Sequence, residues 1–486
     1  MVGTGSSPAY AAKMPLHAAE PLFRNSRRGA LALLTVTLGS GVALLDSTVV
    51  NIALPTIGRD LDSPLAGLQW VSNGYVLALA SLILTGGSLG DRLGRRRMYV
   101  IGVSWFALAS LACALAPTTG WLVAARIAQG VGGALLTPGG LAIIQSSFRQ
   151  EDRAAAIGTW AGVSGLATAI GPFLGGWLLD AFGWPAIFLI NLPLCAIVVV
   201  LALVSVPESR DEEASGSFDL AGAGLTTLTL GALTWLLISG PQAPGWLALL
   251  AGIVALLGAI AFGVVERRVS YPLVPFSLFG SRVFSAANLM TFLVYGALGS
   301  LMFFVVLQLQ TSAGFSPLAS GVATLPVTIL LLLLSARMAV VAEHTGPRLP
   351  MTLGPLVCAA GVLVLSFIGP GSGWTVVLAG MTVFGLWLSL LVSPLTAAVL
   401  AAAPDRLAGA ASGINNAVAR TGTLLAVAAL PALVGLSGDD YRDPDALTAG
   451  YRLAAYAIAA LLVAGGVTSW TGLGKAGDVP VRPPAD

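Results

Sequence analysis

The chain contains 486 residues, of which 56% are hydrophobic and only 9% are charged, and its formal net charge is +2. Soluble globular proteins carry about 25% charged residues, so this composition excludes a soluble protein. The near-neutral charge also gives no electrostatic basis for binding nucleic acid.

A polar N-terminal tail precedes the first apolar segment. Residues 1–28 are small and polar, end in basic residues, and are predicted to form a disordered cytoplasmic tail. The first apolar segment is too long for a signal peptide and lacks a convincing cleavage site, so it is interpreted as a membrane span. At about 20 residues per crossing, fourteen spans are predicted: 29–54, 70–90, 98–116, 121–146, 155–180, 186–206, 219–239, 246–265, 286–309, 320–342, 349–368, 374–402, 409–435 and 451–470.

Charged residues inside apolar spans are costly and therefore mark functional candidates. Asp46 lies in the first span and Arg126 in the fourth, at a similar predicted depth in the outer half of the membrane. An apolar environment favours the protonated carboxyl group, whereas a nearby arginine favours the carboxylate. This competition predicts a group that loads and releases protons. A permanent ion pair that only locks two helices is the alternative.

The turn between the second and third spans, GGSLGDRLGRRRM from Gly86 to Met98, combines glycines with a dense basic cluster. Glycine allows two helix ends to approach closely, and Asp91 can form a salt bridge or cap a neighbouring helix end. A basic loop that only sets the topology is the alternative. The candidate gating residues are Gly87, Gly90, Asp91, Arg92, Gly94 and Arg95.

The fourth and fifth spans are rich in glycine. Gln129 follows Arg126 by one turn, and the neighbouring glycines give a smooth helix surface for close packing. The fifth span contains enough glycine and proline to weaken a helix, which predicts a kink, close packing or a moving seam. Static packing explains the glycine spacing by itself. The candidate residues in this span are Gly162, Gly171, Pro172, Gly175 and Gly176.

Basic residues accumulate in alternate loops, which is the positive-inside pattern. The pattern holds only if the number of spans is even and both termini are cytoplasmic. The chain is therefore predicted to be a multi-pass protein of the cytoplasmic (inner) membrane, with the lipid bilayer as its surroundings. The loops predicted to be internal contain Arg24, Arg27, Arg28, Arg92, Arg95, Arg96, Arg97, Arg149, Arg153, Arg210, Arg267, Arg268, Arg282, Arg348, Arg406 and Lys475.

A second, degenerate copy of the basic turn runs from Glu343 to Arg348. Two copies in equivalent places indicate two homologous helical halves. The second copy follows the tenth span rather than the eighth, which predicts an extra pair of spans inserted between two six-helix bundles. The predicted divisions are an N-terminal bundle at 29–206, a linker with two extra helices at 207–285, a C-terminal bundle at 286–470 and a cytoplasmic tail at 471–486.

The cysteines and histidines give no sign of catalysis or metal binding. Cys113, Cys195 and Cys358 lie singly in apolar segments, and His17 and His344 lie outside the predicted spans. The sequence contains no His/Cys cluster and no phosphate-binding loop. It therefore predicts neither an enzyme nor a metal or cofactor site. A sensor is disfavoured because no loop is long enough to form a substantial soluble domain.

Several motifs resemble those of the major facilitator superfamily, in its branch of drug:proton antiporters with fourteen helices. The segments LLDSTVVNIALP around Asp46, GSLGDRLGRRR, RIAQGVGGA and the Gly171-Pro172 helix are similar to its motifs. FLINLP, PLVPFSLF, GFSPLASGVATLP and ASGINNAVARTG are similar to the same branch. The resemblance extends from Arg28 to Trp470.

This resemblance implies an all-helical membrane protein with two six-helix bundles and two additional central helices, which we expect to function as a monomer. It implies proton-coupled efflux of small hydrophobic or amphipathic compounds such as drugs or antibiotics, with no cofactor beyond the coupling proton. Asp46 and Arg126 are then the proton-coupling residues, the basic turn is a gate, and the Gly171-Pro172 helix implies antiport. A narrow-specificity exporter of one metabolite and a symporter of the same fold are the alternatives.

The substrate cavity is expected between the two bundles, near the membrane midplane. Unlike several members of the family, this chain has no acidic residue in its C-terminal spans, which argues against dicationic substrates and leaves neutral, zwitterionic and anionic compounds. The sixth span also begins with Trp184-Pro185-Ala186, where the family has an aromatic-basic-aromatic sequence.

Trp70 is better explained as a membrane-interface anchor than as a residue that lines the substrate cavity. The candidate lining residues are Asn73, Tyr75, Gln129, Tyr295, Asn415 and Arg420.

Overall fold

The computed structural model describes residues 21–210, 219–269, 272–404 and 407–473. Most of both predicted tails, at 1–20 and 474–486, therefore lies outside the described residues. Within the described part, fourteen helices are long and apolar enough to cross a membrane, which confirms the all-helical prediction. They are α1 (Arg27–Asp60), α2 (Leu65–Leu93), α3 (Arg95–Ala114), α4 (Thr119–Ser147), α5 (Gln150–Phe182), α6 (Pro185–Ser205), α7 (Leu220–Ile238), α8 (Gly245–Glu266), α9 (Arg282–Leu307), α10 (Pro317–Thr345), α11 (Arg348–Leu365), α12 (Trp374–Ala401), α13 (Ala408–Leu433) and α14 (Pro444–Gly472).

Several helices begin outside the apolar segments that predicted them. α9 begins earlier than predicted, at Arg282, because the Ser281 side chain caps its first turn. α14 begins earlier than predicted, at Pro444, because the Asp443 side chain does the same. Hydropathy marks the apolar part of a span, whereas capping side chains set where the helix begins.

The helices form two bundles with the same internal packing. In the first, α4 packs against α2 and α3, and α1 packs against α5 and α6. In the second, α12 packs against α10 and α11, and α9 packs against α13 and α14. Each helix contact in the first bundle therefore has a counterpart in the second, which is the arrangement of a structural repeat.

α7 and α8 form a hairpin beside the two bundles, joined by a turn at Gly240–Gln242. α8 packs on α7, and α7 packs on α2 and α13, which belong to different bundles. The Trp70 indole N–H donates to the Ser239 hydroxyl at 3.2 Å and ties α2 to the end of α7. The extra pair thus lies along one seam between the halves.

The bundle has two faces, which differ in charge. α1 begins and α14 ends at the face that carries the arginines of residues 95–97, and this is termed the basic face. There the Arg282 side chain, at the start of α9, donates to the Thr471 carbonyl at the end of α14 at 2.7 Å. The opposite face, where α1 ends and α14 begins, is termed the far face.

The two halves meet along two seams, α2 with α13 and α5 with α10. At the far face the Gln69 amide of α2 donates to the carbonyl oxygens of Val427 and Ala428 of α13, at 2.9 and 3.0 Å. The Leu65 N–H donates to the Gly438 carbonyl at 2.8 Å. The seam between α2 and α13 is therefore closed at the far face by direct hydrogen bonds.

A charged group of contacts reinforces the same face. Arg442, in the loop before α14, pairs with Asp62 at 2.8 Å and donates to the Gly58 carbonyl near the end of α1. The Tyr441 hydroxyl donates to the Ser63 carbonyl at 2.7 Å. Hydrogen bonds with Tyr441 and Asp62 raise the pKa of Arg442 above its usual range, so the guanidinium stays charged.

Glycines show that the seam between α5 and α10 is tight at the far face. A Cβ added at Gly176 would lie 2.8 Å from the Pro317 carbonyl oxygen, and one at Gly321 would overlap the Pro172 carbonyl. A Cβ added at Gly162, on α5 nearer the basic face, meets nothing within 4 Å. The structure is therefore a state in which the halves are joined at the far face.

Gly176→Val is expected to prevent this far-face closure, because the valine side chain would overlap the backbone of Leu318. The Gln310 amide donates across the halves to the Ile52 carbonyl at 2.9 Å, so Gln310→Cys reports the closure. In a background without the native cysteines, we expect this cysteine to react faster with an impermeant maleimide when Gly176→Val is present. Gly162→Val, in open space, is the matched control, and equal labelling rates in the two variants would contradict the prediction.

Candidate functional site

A buried ion pair joins α1 to α4. The Arg126 guanidinium donates from Nη1 to Asp46 Oδ2 at 2.6 Å, and each residue is only 1% exposed. Both residues lie in apolar spans, where an isolated charge is costly. The structure therefore brings together the two residues selected from the sequence and compensates both charges.

The other carboxylate oxygen of Asp46 is held by neutral amides. Oδ1 accepts from the Gln129 amide at 2.8 Å and from the Asn191 amide at 2.9 Å. The Ser110 hydroxyl accepts from Asn191 at 3.0 Å and donates to a backbone carbonyl of α6. Helices α1, α3, α4 and α6 therefore meet around one carboxylate that accepts three hydrogen bonds.

Arg126 also contacts groups other than the carboxylate. Nη1 donates to Gln129 Oε1 at 2.6 Å, and Nε donates to the Val71 carbonyl of α2 at 3.2 Å. The guanidinium carbon lies 4.5 Å from the centre of the Tyr75 ring, which is a cation–π arrangement. Two of the predicted lining residues, Tyr75 and Gln129, therefore belong to the surroundings of the ion pair.

Two members of this cluster were not selected from the sequence. Asn191 stands at the interruption of α6, between Pro185–Leu189 and Asn191–Ser205, and is fully buried. An asparagine in a strongly apolar span is a detectable signal, because burying an unpaired amide is costly. Ser110 carries no comparable signal, since a single serine fits many helix-packing surfaces.

The basic turn between α2 and α3 is shaped by Gly94 and a local ion pair. Gly94 has a φ of +110°, which glycine adopts readily and other residues rarely do. Asp91 pairs with Arg95 at 2.7 Å, within the turn. A Cβ added at Gly87 would touch α4 at an ordinary 3.6 Å, and one at Gly90 would meet nothing within 4 Å. In this state, the packing of α2 against its neighbours therefore does not require glycine at position 87 or 90.

Glu208 fastens this turn to the end of α6. Its carboxylate accepts from the backbone N–H groups of Arg96 and Arg97 at 3.1 and 3.2 Å. These N–H groups belong to the first turn of α3, where they have no partner inside the helix and favour a negative charge. Arg92 lies in the last turn of α2. The sequence placed Glu208 in a linker, and only the fold brings it beside the start of α3.

The glycines of α5 face α1 as well as α10. A Cβ added at Gly171 would overlap the Thr48 hydroxyl, and one at Gly175 would lie 2.7 Å from a methyl group of Val49. Thr48 and Val49 follow Asp46 on α1 by less than one turn. α5 is therefore packed closely against the helix that carries the buried carboxylate.

The remaining lining candidates are spread over two places. The Asn415 amide donates to Asn288 and Thr291 of α9, inside the C-terminal bundle. Asn73 is fully buried, and neither of its amide atoms has a partner among the described residues. The structure therefore ties Asn415 to its own half and leaves the Asn73 amide unpaired.

Tyr295 and Arg420 lie on neighbouring helices of the C-terminal half, α9 and α13. The Thr423 hydroxyl, three residues after Arg420, donates to the Tyr295 carbonyl at 3.0 Å. Arg420 is partly exposed, whereas Arg126 is buried. Arg126 and Arg420 are therefore in different environments, since the first is buried in an ion pair and the second is partly exposed.

Comparison with known proteins gives consistent matches over most of the chain. The sequence profile of the Major Facilitator Superfamily matches residues 36–427. The chain is 37% identical to the tetracenomycin C resistance and export protein of Streptomyces glaucescens, over 85% of this chain and 77% of that protein. It is 36% identical to multidrug resistance protein Stp of Mycobacterium tuberculosis, over 83% and 76%. It is 35% identical to the methylenomycin A resistance protein of Bacillus subtilis, over 90% and 94%.

Solved structures show the same fold at lower sequence identity. A bacterial homologue of the human lysosomal transporter Spinster, in an inward-facing and occupied conformation, matches with a TM-score of 0.66 at 15% identity, over 92% of this chain and 97% of that chain. A bacterial homologue of the human drug peptide transporters matches with a TM-score of 0.64 at 15% identity, over 91% and 97%. At this identity the likeness shows the fold alone.

Removing one member of the buried ion pair is expected to destabilise the protein more than removing both. Asp46→Asn leaves the Arg126 charge buried without a counterion, which costs about 3–5 kcal/mol of unfolding free energy. The double variant Asp46→Asn/Arg126→Gln has no uncompensated charge, so part of that loss is expected to return. Thermal unfolding in detergent compares the variants, and a double variant less stable than either single variant would contradict this expectation.

Proposed function

Because this chain belongs to the major facilitator superfamily, we propose that it exports small hydrophobic or amphipathic compounds, such as drugs or antibiotics, in exchange for protons. Family membership makes it a multi-pass transporter of the bacterial cell membrane rather than an enzyme. Relatives named for resistance and export cover most of the chain, which supports efflux as the direction.

The observation that supports this proposal most directly is the buried carboxylate of Asp46. Three donors hold it, from Arg126, Gln129 and Asn191. A proton on Asp46 would remove its charge and leave Arg126 buried without a counterion, which is costly. The cluster must therefore rearrange when the proton binds.

The rearrangement has a direct route to the seam between the halves. Thr48 and Val49, next to Asp46 on α1, pack against Gly171 and Gly175 of α5. α5 in turn packs against α10 of the other half. A shift of α1 that follows protonation would therefore move a helix on which the two halves meet, as alternating access requires.

The positive-inside rule assigns the basic face to the cytoplasm. A state joined at the far face then corresponds to a transporter that is closed to the outside and loads substrate from the cytoplasm or the inner leaflet. In the proposed cycle, a proton from outside neutralises Asp46, weakens its hold on Arg126, and turns the cavity inward. Substrate entering from the cytoplasm then favours release of that proton.

The basic turn is proposed to gate the cytoplasmic side of this cycle. Glu208 holds the start of α3 to the end of α6, and the pairing of Asp91 with Arg95 orders the turn itself. Gly94 supplies the left-handed backbone that lets α2 and α3 follow each other without a longer loop. These contacts keep the turn in place as the halves move.

A narrow exporter of one compound is the second candidate function. Two of the relatives are named for single antibiotics, tetracenomycin C and methylenomycin A, whereas a third is named for multidrug resistance. The two functions differ in how many unrelated compounds drive proton exchange. A symporter of the same fold would instead move protons and substrate in the same direction.

Inverted membrane vesicles test the proton coupling. An acid lumen is established, candidate compounds are added, and a pH-sensitive dye reports protons leaving the lumen. The wild type is expected to release protons when a substrate is added, and Asp46→Asn is expected to abolish the release because its amide cannot carry the proton. Asp60→Asn, at the exposed end of the same helix, is the matched control and is expected to behave as the wild type.

Each outcome of this assay has a distinct meaning. An Asp46→Asn variant that still moves substrate against its gradient, with unchanged proton release, would contradict the role of Asp46. Release driven by many unrelated compounds supports a multidrug exporter, and release driven by one compound supports a narrow exporter. Proton entry that accompanies substrate entry would indicate symport.

A further inference from the structure

Arg420 differs from Arg126 because nothing in the described structure compensates its charge. It lies in the middle of α13, thirteen residues before Leu433, or about 20 Å from the far-face end of the helix. Among the described residues it has neither an ion pair nor a hydrogen-bond acceptor. The residue is partly exposed, unlike Arg126.

The acidic residues of the described spans do not offset this charge. Asp46, the carboxylate in the interior of the spans, is already paired with Arg126. The others lie toward helix ends, as Asp91 does at the end of α2 and Asp180 at the end of α5. The region between the halves therefore has a net positive charge, and a cation at this depth without a counterion marks a functional group.

Arg420 lies on the face of α13 that meets the other half. Gly413, Arg420 and Val427 are spaced by seven residues, about two helical turns, so they share one face. A Cβ added at Gly413 would lie 2.8 Å from Leu84 of α2, and the Val427 carbonyl accepts from Gln69 of α2. Arg420 is therefore at the seam between α2 and α13, midway between these two contacts.

Polar groups of α2, α9 and α13 lie along this seam. The Thr423 hydroxyl, one turn after Arg420 on α13, donates to the Tyr295 carbonyl of α9 at 3.0 Å. Asn73, one turn from Gln69 on α2, is buried and has an unpaired amide. An uncompensated guanidinium inside an apolar bundle suits a compound with an apolar body and an acidic group.

We propose that Arg420 binds the acidic group of the exported compound, so that the substrates are hydrophobic organic anions with a carboxylate or an ionised phenol or enol. This inference rests on the proposed export function and specifies its substrate class. The planar guanidinium binds a carboxylate through two parallel hydrogen bonds. The substrate thereby supplies to Arg420 the counterion that Asp46 supplies to Arg126.

Binding to the purified transporter in lipid nanodiscs tests this site without any proton gradient. The probes are naphthalene-2-carboxylate and anthracene-2-carboxylate, each compared with its methyl ester by equilibrium dialysis. The wild type is expected to bind each acid more tightly than its ester. Arg420→Gln is expected to weaken binding of the acids about tenfold to a hundredfold, as for a lost hydrogen bond to a charged group, and to leave the esters unchanged.

Three further variants separate recognition of charge from a structural role. Arg420→Lys keeps the positive charge and is expected to keep a preference for the acids. Arg420→Glu is expected to reverse the preference toward the corresponding aminomethyl compounds, which a purely structural residue would not do. Arg452→Gln, at an exposed position of α14, is the matched control and is expected to bind as the wild type.

Equal affinity of the wild type for the acids and their esters would overturn the proposal. An Arg420→Gln variant that binds the acids and the esters equally weakly would also overturn it. The binding result is independent of the vesicle assay. An intact preference for acids without any coupled proton release would reject the proposed antiport alone, whereas proton release driven only by neutral compounds would reject the anion site alone.

Discussion

The N-terminal half of this transporter is organised around one buried charge. Asp46 lies in an apolar span and must be compensated there, and its donors come from α4 and α6, with Ser110 of α3 behind them. These donors are spread over several helices. A proton on the carboxylate therefore removes the negative charge that the side chains of those helices compensate. A local protonation is thereby linked to the packing of a whole bundle.

The C-terminal half repeats this packing but not this chemistry. The Gln308 amide donates to the Thr448 hydroxyl and the Ile368 carbonyl, which joins α9 to α14 and to the end of α11 through neutral groups. Within the described residues this half has no buried ion pair, and Arg420 lies at its seam with the other half. The two halves therefore have different proposed tasks. The N-terminal half binds the proton, and the C-terminal half binds the charged group of the substrate.

The number of spans, the repeat and the ion pair were predictable from the order of the residues alone. Apolar segments of bilayer length must be helices, because every backbone N–H and C=O needs a partner within the lipid. Asp46 and Arg126 were predictable partners, because two opposite charges at similar depth in apolar spans are far less costly together than apart. The glycines of α5 indicated close helix packing, because a residue without a side chain lets a neighbouring helix approach. They did not identify α1 and α10 as the helices that pack there.

Which polar groups meet depends on how the helices pack, and this was not predictable from the sequence. Asn191 and Ser110 reach Asp46 and its donors because α3 and α6 pack beside α1, and no local feature of the sequence specifies that arrangement. Asn415 and Arg420 lie on one helix, yet the first bonds within its own half and the second lies at the seam. Apolar composition places a helix in the membrane, but its rotation and tilt come from packing against its neighbours, and these decide the partner of each polar side chain.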